Sequence, residues 1–511
     1  MKRIEIPKDE LKKLHKDQKL SSMRKKFYLT IAIPYVNAPP HLGHALEFIQ
    51  GDVIARYHRL LGEDVKYLTG SDENAIKNVL AAEKAGLFPQ PFCDQITKLF
   101  QKLGKKLDIS FDIWQRGSDK ELHWPGVKKI WNFSVEAGDI YKKPYQGKYC
   151  VGCESFKMEK DLVDGLCPEH GTKPQLVSEE NYFFKLSKYQ DQILDSIETD
   201  KLRVIPQKRK NEILSFIKEG LEDFSISRSK ERARGWGIPV PGDDEQYIYT
   251  WFDALVIYLT GVGFSRDEKE FNKWWPADLQ IIGKDIIRFH AVYWLAMLLS
   301  LELPLPKQLL VHGFITSGGR KMSKSIGNVV DPFELVKKYG TDPIRYFLLR
   351  EISPTEDGDF TYERFEERYN SDLADGLGNL LSRILTMAEK VLPEGTEYAP
   401  DAEFEDLFRQ VSGELRKSMD EFRFNDALEV IWKLIGYCDQ YIEKKRPWET
   451  EDVQVLKNLL AALMTIALLL RPFLSVTPDK IFNQLGVDPE GKKPWRFRIK
   501  KGDPLFPRFP F

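Results

Sequence analysis

The sequence predicts an α/β domain built on a parallel sheet, split by a cysteine-bearing insertion and followed by an all-α bundle. Three observations carry this prediction. Short apolar strands alternate with helical patterns over residues 27–139 and again over 236–330. Residues 140–235 break that rhythm and hold three of the five cysteines. Beyond Asp331, apolar residues recur at three- and four-residue spacing with no convincing strand. A chain of 511 residues, 42% hydrophobic and 12% aromatic, has material for several packed cores, which excludes disorder as a class.

The elements follow in order. Residues 27–34, FYLTIAIP, form a β-branched and aromatic run that reads as a buried strand. A Pro- and Asn-containing turn leads into a helical pattern over 44–61, and a second strand covers 65–69. Helical patterns resume over 75–84 and 93–107. Strand and helix in alternation imply parallel strands with crossover helices, the Rossmann-type arrangement. After the insertion, 247–251, 279–282 and 308–313 read as strands. The last part reads as helices over 372–392, 401–422, 424–444 and 452–470. The expected organisation is an extension over 1–26, the α/β domain over 27–139 and 236–330, the insertion over 140–235, a linking region over 331–372 and a helical domain over 373–511.

Composition narrows the function. The 76 Lys and Arg against 77 Asp and Glu leave a net charge of −1, so any polyanion would be met by a local basic face. The apolar runs 289–301 and 459–470 fall short of a membrane span and read as buried helices. Residues 1–26 hold ten Lys or Arg and four Asp or Glu and no apolar stretch, unlike a signal peptide. They read as a frayed extension or an early start before Met23, with a basic arm touching a polyanion as the other reading. Five cysteines rule out a disulfide scaffold and suggest a metal site in a reducing compartment.

Cys150-x-x-Cys153 and Cys167-x-x-His170 are two short chelating pairs separated by 13 residues. That spacing suits a tetrahedral zinc ion, and four protein ligands leave no open position, so the metal would be structural, one per chain. Cys93 and Cys438 have no nearby partners and read as buried thiols. The turn from Pro34 to His44 follows the first strand and opens the first helix, where an α/β fold binds phosphate. His41 and His44, three apart, face one side of that helix start, and Gly43 between them lets a flat base approach the backbone. Gly318 and Gly319 precede Lys321 and Lys324, two lysines on a glycine-flanked loop that can wrap a triphosphate.

With both motifs in this order and strand context, the sequence resembles the class I aminoacyl-tRNA synthetases. His41-Leu42-Gly43-His44 matches their HIGH motif and Lys321-Met322-Ser323-Lys324-Ser325 their KMSKS motif. It looks most like the methionyl-tRNA synthetase family, through Ala32-Ile33-Pro34-Tyr35, the run from Thr250 to Leu255, Ile282-Gly283-Lys284-Asp285, Phe289-His290 and the single zinc knuckle. The resemblance spans residues 27–511. It implies a catalytic Rossmann domain, a connective insertion and an anticodon-binding bundle. It further implies ATP and L-methionine as substrates, magnesium with the ATP, and tRNA(Met) as partner, in a cytoplasmic monomer with no membrane association. By resemblance, His41, His44, Lys321 and Lys324 are catalytic. The ATP site adds Asn37, Gly43, Gly283 and Asp285, the last as acceptor for a ribose hydroxyl. The methionine pocket is lined by Ile33, Tyr35, Trp251, Leu255, Tyr258, Ile286 and His290, with Asp72 holding the ammonium. Asn379, Arg383 and Trp448 read the anticodon. The family usually carries His-Gly after the acidic pair at 72–73, whereas Asn74-Ala75 stands here.

Two other readings face objections from the same residues. A catalytically dead tRNA-binding scaffold is opposed by the intact His41, His44, Lys321 and Lys324. A ligase for cysteine is opposed by the bulk of Trp251 and Tyr258 and by the complete four-ligand knuckle. The insertion is too short for a separate editing domain.

Overall fold

Six parallel strands make the central sheet, in the spatial order Ile113–Arg116, Asp64–Ser71, Lys26–Ile31, Leu279–Gly283, Gln308–His312 and Arg203–Ile205. The computed structural model describes residues 25–152, 155–157, 159–168, 171–322, 327–490 and 495–509. Alternation along the first strand divides the interior. Phe27, Leu29 and Ile31 face one apolar core and Tyr28 the other. The first core holds the helix Leu42–Leu60 and continues into the C-terminal helices. The second holds Trp131, Trp251, Tyr258 and Trp294.

The strand Arg203–Ile205 comes from within residues 140–235, so that stretch lends the central sheet its edge. The rest of the stretch includes a four-stranded antiparallel sheet. Its long hairpin pairs Ile140–Cys150 with Gln175–Phe184 and carries the cysteine segment at its tip. Two expected elements differ. Residues 247–251 are not one strand: Asp243–Ile248 forms an antiparallel strand outside the central sheet, and Thr250–Ala254 is helical, so Trp251 sits on a helix. Beyond Asp331 short strands do occur. Gly358–Phe360 pairs with Ile315–Ser317, and Thr396–Glu397 with Arg496–Phe497. Elements of two or three residues leave no period to read.

The helices Asn379–Val391, Ala402–Asp420, Phe424–Lys445 and Val453–Leu470 pack as a bundle. Val453–Leu470 has a mean hydropathy of 2.0 and is long enough to cross a membrane, but thirteen of its eighteen residues are buried among the other helices. The bundle is tied to the sheet through Thr341–Arg350. Arg345, fully buried, pairs with the fully buried Asp52 of Leu42–Leu60 at 2.7 Å. Its other N–H groups donate to the carbonyls of Leu107, Pro472 and Phe473. Asp342 accepts from the backbone N–H groups of Ser475, Val476 and Thr477. Burial alone would push the Asp52 carboxyl up. Arg345, Arg56 and two hydrogen bonds from Ser110 outweigh it and hold the group below the ordinary range.

Arg345→Met should destabilise the protein by about 3–5 kcal/mol in urea unfolding, because Asp52 is left buried with its main partner gone. The sign with pH follows from the lowered carboxyl. The pair stabilises above the unfolded carboxyl pKa of about 3.9 and loses that contribution as pH falls through the lower folded value. The loss from Arg345→Met should therefore be full at neutral pH and shrink in acid.

Candidate active site

From the strand Lys26–Ile31 the chain runs to one side of the sheet through Asp64–Ser71 and Ile113–Arg116. It later returns on the other side through Leu279–Gly283 and Gln308–His312. The carboxyl ends of Lys26–Ile31 and Leu279–Gly283 therefore flank the crevice where open α/β sheets bind ligands. The segment from Ala32 to His41 leaves the first strand and Gly283 to Ile286 leaves the second, which brings the two expected substrate-binding stretches to one place.

His41 caps the helix Leu42–Leu60 through a reciprocal pair of hydrogen bonds. The Gly43 N–H donates to His41 Nδ1, and the His41 N–H donates to His44 Nδ1, both at 3.1 Å. Each Nδ1 is an acceptor, so each neutral ring keeps its proton on Nε2. Burial, reinforced by His41, pushes the His44 imidazole well below its ordinary pKa. The helix start thus places two imidazoles, that of His44 neutral, beside the positive end of the helix dipole, a setting for an anion. A Cβ on Gly43 would lie 2.9 Å from the His41 ring, so the glycine leaves room for the capping imidazole. Asn37 is exposed. Gly283 is buried, and a Cβ there would meet the carboxylate of the exposed Asp285 at 2.8 Å.

The aromatic residues converge. Trp251 stacks on Phe289 with centroids 3.8 Å apart and meets Tyr35 and His290 edge-on at 6.3 and 6.2 Å. Tyr258 Oη lies 2.9 Å from His290 Nε2, and His290 Nδ1 lies 3.1 Å from the Ile286 carbonyl oxygen. A carbonyl only accepts, so His290 donates from Nδ1 and Nε2 accepts the Tyr258 O–H. Burial pushes His290 down to about 4, so it is neutral at pH 7. The Tyr258 hydroxyl proton and the His290 N–H are both committed within the protein. The wall they form offers polarizable surface rather than a donor seeking a strong acceptor, which suits a thioether, with sulfur–aromatic contacts worth about 0.3–1.5 kcal/mol. Leu255 is buried in the same core, and Ile33 and Ile286 pack against it.

Asp72 lies at the base of this cluster, buried, with the Thr250 hydroxyl donating to its carboxylate at 2.9 Å and the Asn78 amide donating to its carbonyl. Tyr35 and Asp72 form a backbone bridge, which joins the aromatic wall to the acid. Asn74 takes a definite place here. Its amide donates to the Gly117 carbonyl at 2.9 Å and to Asp253 Oδ2 at 3.1 Å. Burial, then the nearby Asp72, pushes the Asp253 carboxyl well above its ordinary range, against the Asn74 hydrogen bond. Asp253 is thus held towards its neutral form beside Asp72. Thr250, Asp253 and Phe289, which the sequence marks as part of the resemblance without assigning them a role, join the cluster, as does Lys77, which it does not mark.

Among the other expected residues, Lys321 pairs through its backbone with Thr316 in a hairpin. The two-residue turn has Gly318 at φ 61° and Gly319 at φ 71°, values that favour glycine. The Gly319 N–H and the Thr316 hydroxyl both donate to Asp359, anchoring the hairpin to the linking region. Lys324 lies outside the described residues, as do Cys153 and His170. Cys150 and Cys167 are both buried. Cys150 ends its strand opposite Ser155, and the Gly171 N–H donates to the Cys167 carbonyl at 2.7 Å. Asn379 is exposed at the start of Asn379–Val391. Arg383 on the same helix pairs with Asp439 and Glu443 of Phe424–Lys445. Trp448, 45% exposed, sits in the short helix that Pro447 begins.

A family model for tRNA synthetases class I (M) matches residues 27–173 and 157–385, and one for the anticodon-binding domain of tRNA ligase matches 401–495. The methionine–tRNA ligase of Caldanaerobacter subterraneus subsp. tengcongensis is 42% identical over 95% of this chain and 79% of that protein. The methionine–tRNA ligase of Thermotoga maritima is 41% identical over 92% of this chain and 76% of that protein. Mycobacterium tuberculosis methionyl-tRNA synthetase in complex with methionyl-adenylate superposes with a TM-score of 0.89 at 38% identity, covering 95% of this chain and 100% of that one. The free form of that enzyme gives 0.83 at 35% identity, covering 96% and 99%. A parallel-sheet core followed by a helical domain, matched at this identity over nearly the whole chain, places it plainly: the chain belongs to the methionyl-tRNA synthetase family of class I tRNA synthetases.

Proposed function

We propose that the chain activates L-methionine with ATP and transfers the methionyl group to the 3′-terminal adenosine of tRNA(Met). One observation carries this reading. The histidine-capped helix start and Tyr35, which meets Trp251 and is bridged to Asp72, both lie on the segment that leaves the carboxyl end of Lys26–Ile31, beside Leu279–Gly283. The similarity to a structure holding methionyl-adenylate supports it.

In this reading Asp72 binds the substrate ammonium, and Ile33, Tyr35, Trp251, Leu255, Tyr258, Ile286 and His290 enclose the thioether. A second ionised carboxylate would leave surplus charge opposite a single ammonium, so a neutral Asp253 matches the substrate. ATP enters as its magnesium complex. Asn37, Gly43, Gly283 and Asp285 hold its nucleoside. His41, His44, Lys321 and Lys324 meet the phosphates. The methionine carboxylate attacks the α-phosphorus in line, the bond to the β-phosphate oxygen breaks, and pyrophosphate leaves. A terminal ribose hydroxyl of the tRNA then attacks the adenylate carbonyl and AMP leaves. No group on the protein becomes covalently attached, so catalysis is positioning and charge stabilisation. Asn379, Arg383 and Trp448 read the anticodon, with the exposed indole stacking on an unpaired base. The enzyme is a cytoplasmic monomer in this reading.

Three variants separate these roles. Lys324→Ala should lower the single-turnover rate of adenylate formation a few hundredfold, about 3–4 kcal/mol, with methionine affinity almost unchanged. Trp251→Ala should weaken methionine binding first. Trp448→Ala should impair tRNA charging by about 1–3 kcal/mol and leave amino-acid activation intact. A raised methionine Kd with an unchanged adenylation rate in Lys324→Ala would contradict the assignment.

Cys150, Cys153, Cys167 and His170 would hold one structural zinc ion, which crosslinks the hairpin tip when bound. The two buried thiol-bearing residues and the hydrogen bond that closes Gly171 onto Cys167 fit such a group. Elemental analysis of the purified protein should find one zinc per chain. Zinc-free protein with an unaltered melting temperature and full activity would overturn this.

A further inference from the structure

Lys77 lies on the helix Ile76–Lys84, five residues after Asp72, and neither signature motif accounts for it. Its ammonium nitrogen sits 3.3 Å from the centroid of the Tyr35 ring and donates to the Gly152 carbonyl at 3.1 Å. Gly152 belongs to the turn that follows Cys150 at the hairpin tip. Tyr35 in turn stands edge-on to Trp251 and bridges Asp72 through its backbone. One cation therefore touches both the wall of the aromatic pocket and the cysteine turn, which are remote from each other in sequence.

From this juxtaposition we propose that Lys77 is a positioning residue for the amino-acid substrate, clamping Tyr35 in its pocket orientation and coupling the pocket to the turn after Cys150. The inference rests on the reading of this cluster as the methionine pocket. The physics has two parts. The negative face of an aromatic ring attracts a cation, more so where water is thinned. The Gly152 carbonyl satisfies a second ammonium proton and fixes where the cation stands, so a shift of the turn moves the clamp. A ring held in place before the substrate arrives removes an ordering penalty from binding and leaves the chemical step untouched.

The test is methionine binding by calorimetry and pyrophosphate exchange on the full chain. Lys77→Met keeps the aliphatic stem and removes the charge. It should raise the methionine Kd and KM about fivefold with kcat unchanged, the size of one partly desolvated cation–π contact. Lys77→Arg should restore affinity, because a guanidinium stacks on a ring and donates to a carbonyl. Cys150→Ala should weaken methionine binding in the native background and add nothing in the Lys77→Met background. Should Cys150→Ala fail to fold, Gly152→Pro probes the turn in its place, and the Tyr35→Leu and Lys77→Met pair tests the clamp itself, where the effects should fall short of additive. Native methionine affinity in Lys77→Met, or strict additivity in the cycle, overturns the proposal. The pocket reading is separable: if Trp251→Ala loses methionine and Lys77→Met does not, only the clamp is wrong. If neither variant loses it, the pocket assignment itself is wrong.

Discussion

The fully buried pair of Asp52 and Arg345 is the constraint on which the arrangement depends. Asp52 sits in the middle of the helix whose first turn carries His41 and His44. Arg345 sits on the helix that receives the C-terminal bundle through the carbonyls of Pro472 and Phe473. Such a pair contributes little net stability, since desolvation consumes most of the Coulomb gain, but breaking it is expensive. Its effect is to fix one geometry. The histidine-capped helix, the sheet and the C-terminal bundle are held in a single register, and Asp342 adds three backbone contacts to the same joint.

At the other end of that helix, protonation states shape the site. His44 and His290 are neutral because burial penalises their charged forms, and Asp253 is held towards neutrality by burial and by Asp72. Around Asp72 the Tyr258 hydroxyl and the His290 ring satisfy each other, while the buried Trp251 indole N–H has no hydrogen-bond partner among the described residues. In the proposed reading, a carboxylate at one end and polarizable aromatic surface at the other match the ammonium and the thioether of methionine.

Much of this was legible from local pattern. The strand at 27–34, the helix start at His41 and the bundle helices follow from period and capping chemistry, and the pairing of two short motifs identified the family. What was hidden depends on contacts across the chain. Nothing near residue 203 announces an edge strand, because three residues carry no period and the partner, Gln308–His312, lies a hundred residues on. Trp251 was expected on a strand because an aromatic, β-branched run looks the same whether it pairs or turns into a helix. Asn74 and Asp253 meet across 179 residues and Lys77 reaches Gly152 across 75, so neither contact leaves a local signal. The roles of the site residues rest on the family resemblance together with this geometry.

The central claim is that this crevice activates methionine and excludes its competitors. Pyrophosphate exchange measured with each of the twenty amino acids, on the intact protein without tRNA, tests it most directly. The account predicts strong ATP-dependent exchange with methionine and background with cysteine, leucine, isoleucine and glutamine. Exchange driven equally by cysteine, or by no amino acid at all while the protein still binds tRNA, would contradict it.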